Sequence, residues 1–148
     1  MELVREITAR LENKPGRLAK ICSALAREKV DLVAISVMET EGPSVLRLVT
    51  TDPDAARRVL TGLGTESTLA EVLAIQIDNR AGALAGVLEK LAEEHINIDY
   101  AYVSSASAQG RVLGILHVAN QKRAREVLSE STTATTEKAG GRRPLHSR

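Results

Sequence analysis

Slid along itself by 66 residues, this sequence meets its own likeness, and the repeat limits the possible folds more than any other feature. Asn13 falls on Asn79, Gly16 on Gly82, Leu18 on Leu84, Ala19 on Ala85, Leu25 on Leu91, Ala26 on Ala92, Glu28 on Glu94 and Val37 on Val103. These are eight identities in the 32 positions from 7 to 38, and the apolar pattern matches further. Leu18, Ile21, Cys22 and Leu25 fall on Leu84, Val87, Leu88 and Leu91, each set spaced i, i+3, i+4, i+7 and so on one helical stripe. A chain of this kind folds one supersecondary unit twice.

Each copy has the same order of elements. Alternating runs precede the helices, with Ile7, Ala9 and Leu11 in the first copy and Leu73, Ile75 and Ile77 in the second, and read as half-buried strands. After each helix come β-branched runs, "EKVDLVAISVM" and "EHINIDYAYV", then turns at "ETEGPS" and "SSASAQG", then returning strands "VLRLVT" and "RVLGILHV". Second helices are signalled by Asp52 and Pro53 as cap and first-turn residues, and by Asn120 ahead of "QKRAREVL". "STLAEVL" supplies a last strand for copy one and runs into the first strand of copy two near Val72.

The sequence therefore predicts an α+β fold: two ferredoxin-like βαββαβ domains in tandem, with antiparallel sheets and helices on one face. The expected boundaries are residues 1–71, 72–130 and a polar tail, 131–148, too poor in aliphatic residues to order. On this pattern copy two either lacks a fourth strand or builds a weak one from the tail threonines. Units of roughly 65 residues are marginal alone, so the two should pack together.

The corner between each first strand and helix is the candidate site. Gly16 and Gly82 allow the backbone a tight bend, Pro15 suits a first turn, and Asn13 or Asn79 can cap the helix. Turn chemistry alone accounts for these choices. A helix N-terminus also leaves amides without intrahelical partners, and with Lys14, Arg17 or Arg80 nearby it suits a carboxylate, while Glu12 and Asp78 could meet an ammonium. Together these features are complementary to a free amino acid.

Composition excludes other readings. Twenty basic residues stand against nineteen acidic ones, so no strong overall field draws nucleic acid or anionic lipid. Tyr100 and Tyr102 are the sole aromatics, which removes the stacking platforms of single-strand binders. They point to one strand face, where packing against the other copy is favoured over lining a pocket. The lone Cys22 aligns with Leu88 on the buried stripe and reads as a packed side chain. His95 reads as an exposed turn residue, His117 has no acid or nucleophile at a motif spacing, and His146 lies in the tail, so no catalytic set or metal site is indicated, and no cofactor is expected. No apolar segment reaches spanning length and the single cysteine fits a reducing compartment, so the expectation is a cytoplasmic protein with neither membrane nor nucleic acid as partner.

"ITARLENKPGRLAKICSALAREKVDLVAISV" resembles the start of an ACT domain, a small-molecule regulatory module, and "VLAIQIDNRAGALAGVLEKLAEEHINIDYAYV" resembles a second, as in stand-alone tandem ACT proteins. The resemblance implies a non-enzymatic sensor that binds a free amino acid at interfaces between ACT domains, with chains paired as homodimers. The ligand loops it implies are Asn13, Lys14, Pro15, Gly16, Arg17 and Leu18, and Asn79, Arg80, Ala81, Gly82, Ala83 and Leu84, with Ala81 departing from the usual Pro. Copy one is also similar to the first domain of acetolactate synthase small subunits. That likeness implies a regulatory subunit of a biosynthetic enzyme as the alternative, and the repeat disfavours it.

Overall fold

The computed structural model describes residues 1–104 and 110–129. In chain order these form β1 (Glu2–Leu11), α1 (Arg17–Arg27), β2 (Leu32–Met38), β3 (Ser44–Thr50), α2 (Pro53–Gly62), β4 (Ser67–Asp78), α3 (Ala83–Glu93), β5 (Ile98–Ser104), β6 (Arg111–Val118) and α4 (121–129). Asp52 Oδ1 accepts from the Ala55 amide with Pro53 just inside α2, and Asn120 Oδ1 accepts from the Arg123 amide at α4, as the sequence predicts. Lys29 and His95 both close their helices at φ near +55°, with the Val30 and Ile96 amides donating to the Leu25 and Leu91 carbonyls. The turn expected at "SSASAQG" and the tail expected to be unordered lie largely outside the described residues.

All six strands belong to one antiparallel sheet, in the order β2-β3-β1-β4-β6-β5. The join between the copies is the β1–β4 ladder, which runs from Glu2↔Ala74 to Ala9↔Ser67. Arg5 faces Glu71 at its centre, and those residues are one repeat length apart, so β1 does to β4 what β4 does to β1. Ser67–Leu69 serves as the fourth strand of copy one, and Glu2–Val4 takes the corresponding place beside copy two. Glu2–Val4 thus occupies the flank of β4 where copy two would seat a fourth strand, and the tail threonines lie outside the described residues. The β1 residue Leu3 packs on the second core with Leu73, Ile75, Leu91 and Leu116, while its repeat partner Leu69 packs on the first with Ile7, Leu25, Leu46 and Leu60.

The sheet is also rolled. On a flat sheet with strands about 4.8 Å apart, the edge strands β2 and β5 would stand roughly 24 Å from each other. Instead Ser104 Oγ on β5 donates to the Val33 carbonyl on β2 at 2.9 Å. The helices lie outside, and the concave inner face holds a third apolar cluster of Ala34, Val49, Val72, Ala74 and Ile115. β-Bulges at Leu32/Ala34 and Ile98/Tyr100, one repeat apart, help the edges bend inward.

Within this trough Glu6 is completely buried. Both of its oxygens accept hydrogen bonds from copy two, Oε2 from Tyr102 at 2.6 Å and Oε1 from Tyr100. Arg47 stands over the Tyr100 ring, 3.9 Å from its centroid, with Nε 4.0 Å from Glu6 Oε1. The two tyrosines therefore pack against the other copy, as the sequence favours. Burial, and then the bond to Glu6, push the Tyr100 hydroxyl up to about 12, and the same causes raise Tyr102 further.

Replacing Glu6 by Ala strands two tyrosine hydroxyls and a guanidinium inside the sheet, and should lower stability by about 3 kcal/mol in urea unfolding. The tyrosines supply a second check, since the chain has no other tyrosine and no tryptophan. A raised tyrosine pKa stabilises fully below the unfolded value and is lost as pH climbs through the folded one, here between 10 and about 12. Ultraviolet titration should find little tyrosinate in the native protein at pH 10, while the urea-unfolded chain is half-ionised near that pH.

Candidate functional site

Both strand-to-helix corners take one conformation. In the first, the Lys14 amide donates to the Glu12 carbonyl at 2.8 Å, Arg17 to Lys14 at 3.3 Å and Lys20 to Gly16 at 2.9 Å. In the second, Arg80 donates to Asp78 at 2.9 Å, Ala83 to Arg80 at 3.3 Å and Gly86 to Gly82 at 3.0 Å. Gly16 and Gly82 are both left-handed, at φ 86°. No atom lies within 4 Å of a Cβ built on either, so the left-handed backbone is the reason for glycine at these positions. Ala81 in place of Pro15 leaves the turn unchanged.

Two expectations about the corners need correction. The glycines are the helix caps, and Asn13 and Asn79 make no capping bond. Pro15 stands one residue before the cap, outside the first turn. A left-handed glycine already closes each turn through main-chain bonds, so a side-chain cap has no remaining task. The amides of Leu18 and Ala19, and likewise of Leu84 and Ala85, find no acceptor among the described residues. They are the unpaired donors expected at helix N-termini.

The charges at the corners meet one another. Glu12 is bridged by Lys14 Nζ at 3.1 Å and Arg17 Nη2 at 3.2 Å, and these contacts, Lys14 first, hold its carboxyl below the usual range. Asp78 is bridged by Arg80 at 3.7 Å and Arg111 at 3.6 Å. The stripe positions nearest the corners, Leu18 and Leu84, lie in the first turns of α1 and α3 and are 36% and 38% exposed. Apolar side chains and free amides thus lie together on the surface at two equivalent places. Of the twelve loop residues, Arg17 alone lines the cleft of about 830 Å³ between α1, the end of β1 and the loop after α2.

One constellation was not evident from sequence spacing. His117 Nδ1 lies 2.8 Å from Asp99 Oδ2, and its ring stacks on Tyr100 at 4.9 Å between centroids. The bulge in β5 sets both neighbours against it, and cross-strand register is the signal that finds them. No group of three metal-ligating side chains forms among the described residues, and no helix there is long and apolar enough to cross a membrane.

A family model described as an ACT domain pair matches residues 2–139. No curated protein matches. Among solved structures, the chain is similar to protein BT0572 from Bacteroides thetaiotaomicron, with 30% identity over 88% of this chain and 89% of that one, at a TM-score of 0.80. The fold is also that of the regulatory subunits of aspartate kinase from Thermus flavus (18% identity, 90% of this chain and 95% of that one, TM-score 0.63) and Thermus thermophilus in its ligand-free form (17%, 88% and 97%, 0.61). With the repeat, the six-stranded sheet and the paired glycine corners, this match across nearly the whole length means that the chain belongs to the family of ACT domain pairs.

Proposed function

We propose that this ACT domain pair is a non-enzymatic sensor that binds a free amino acid at its strand-to-helix corners, at interfaces made when two chains associate. The observation that carries the reading is the duplicated pair of unpaired first-turn amides, Leu18 and Ala19 in one copy and Leu84 and Ala85 in the other, each beside an exposed leucine. A carboxylate fits amides at the positive end of a helix. The exposed leucines give a second chain apolar surface to cover. The working units are residues 1–71 and 72–130, with β4 running unbroken through the boundary, and the setting is the cytoplasm. Release of the ligand, or its capture, favours one quaternary arrangement over another by the difference in contact energy.

Attachment to a biosynthetic enzyme is the second reading. It is favoured by the likeness of fold to aspartate kinase regulatory subunits over nearly their whole length. Co-purification with a catalytic subunit would decide for it.

Calorimetry and thermal shift against the twenty amino acids test the first reading. At least one should raise the unfolding midpoint at millimolar concentration, and no response to any of them would overturn it. Gly16→Ala and Gly82→Ala, introduced separately, force a left-handed residue to carry a Cβ and should each cost about 1 kcal/mol. Whichever abolishes the response identifies the corner that binds.

A further inference from the structure

The cleft beside α1 uses cations that the fold does not need. Four basic side chains line it, Arg10, Arg17, Lys20 and Arg57, against the carboxylates Glu12 and Glu66. Glu12 is already bridged by Lys14 and Arg17. Among the described residues, Arg10 and Lys20 have no ion-pair or side-chain hydrogen-bond partner. Arg57 is held by a neutral group: its Nε donates to Ser67 Oγ at 3.3 Å and its Nη2 to the Ser67 carbonyl at 3.1 Å. A guanidinium fixed in this way keeps other N–H groups for a ligand and loses little freedom in using them.

The second copy is an internal control. One repeat further on, Arg10, Arg17 and Lys20 become Gln76, Ala83 and Gly86, yet the same strand, turn and helix form. The strand, turn and helix thus form without cations at these three positions, and the cations are confined to the copy that holds the cleft.

We propose that this cleft is a second ligand site, separate from the corner amides, and that it takes a compact, multiply charged phosphate such as a diphosphate or a phosphorylated metabolite. Charge balance favours phosphate over a single carboxylate, because the cations exceed the acids by more than one charge and a carboxylate would neutralise part of the excess. Phosphate oxygens also accept several donors at once, and the lining offers hydroxyls, Ser67 among them, beside the guanidinium groups. The volume, about 830 Å³, admits a ligand of metabolite size. The site does not depend on the amino-acid reading, and either can fail alone.

The test uses the full chain with diphosphate as probe, against sodium chloride at matched ionic strength. At about 10 mM, diphosphate should raise the thermal midpoint by roughly 3 °C over the chloride control. The double variant Arg10→Gln/Lys20→Gln should lose most of that rise and keep its response to whichever amino acid binds the corners. Both side chains are exposed and Gln already stands at the equivalent of Arg10 in copy two, so folding should survive; Lys20→Ala alone is the second variant, expected to lose part of the rise. No rise above chloride, or an undiminished rise in both variants, overturns the site. An equal rise from aspartate or glutamate, abolished by the same double variant, overturns the assignment to phosphate.

Discussion

The antiparallel ladder between β1 and β4 is the contact on which the rest of the molecule depends. Because the register is centred on Arg5 and Glu71, residues one repeat apart, the two copies are related by a local twofold and each lends the other a strand. This explains the unusual strand lengths, ten residues in β1 and twelve in β4 against the ordinary five or six. One half of each strand serves its own copy and the other half its neighbour. Neither hydrophobic core is complete alone, since Leu3 belongs to the second and Leu69 to the first. The two copies are therefore joined by shared core packing as well as by a shared ladder.

A twofold scaffold could pair like with like, and the inner face opposes that. Glu6 and Arg47 come from copy one, Tyr100 and Tyr102 from copy two. At the repeat-related places stand Val72 for Glu6, Ala34 for Tyr100 and Ser36 for Tyr102. A first copy joined to another first copy would bury two carboxylates facing small side chains, with no phenol to bond them. Burying an unsatisfied carboxylate costs several kcal/mol, whereas the observed pairing satisfies both oxygens. The network thus adds selectivity for the correct partner more than it adds raw stability.

Much of this was legible in the sequence, and the limits have physical causes. Helices, strands and the βαββ order follow from periods of 3.6 and 2, and Asp52, Pro53 and Asn120 mark helix starts through local chemistry. The corner glycines are visible, but the choice between an Asn cap and a left-handed Gly cap rests on dihedral angles that one sequence does not reveal. Leu18 and Leu84 fit the buried stripe and are nevertheless exposed, because the stripe extends past the edge of what it covers. Glu6 and Tyr100 are 94 residues apart, and their meeting depends on how far the sheet rolls. Chain order leaves open whether copy two lacks a fourth strand or builds one from the tail, whereas the exchange across β1 and β4 depends on register, which one sequence does not reveal.

A sensor works through the difference in ligand affinity between two states, and if this chain is one, as proposed, the corners constrain where that difference would arise. Gly16 and Gly82 already hold the left-handed turn, and the first-turn amides are already free. A carboxylate binding there breaks no internal hydrogen bond and orders no loop, so the corner itself supplies affinity without a change of state. On the proposed reading, the differential term comes from groups that a second chain would bring, and the exposed leucines are the surface offered to it. The same rigidity gives β1 a further role: its C-terminal end forms the first corner, its middle carries Glu6, and its N-terminal end completes the second core. On the proposed reading, a shift imposed at that corner by an associating chain would reach both cores through this one strand.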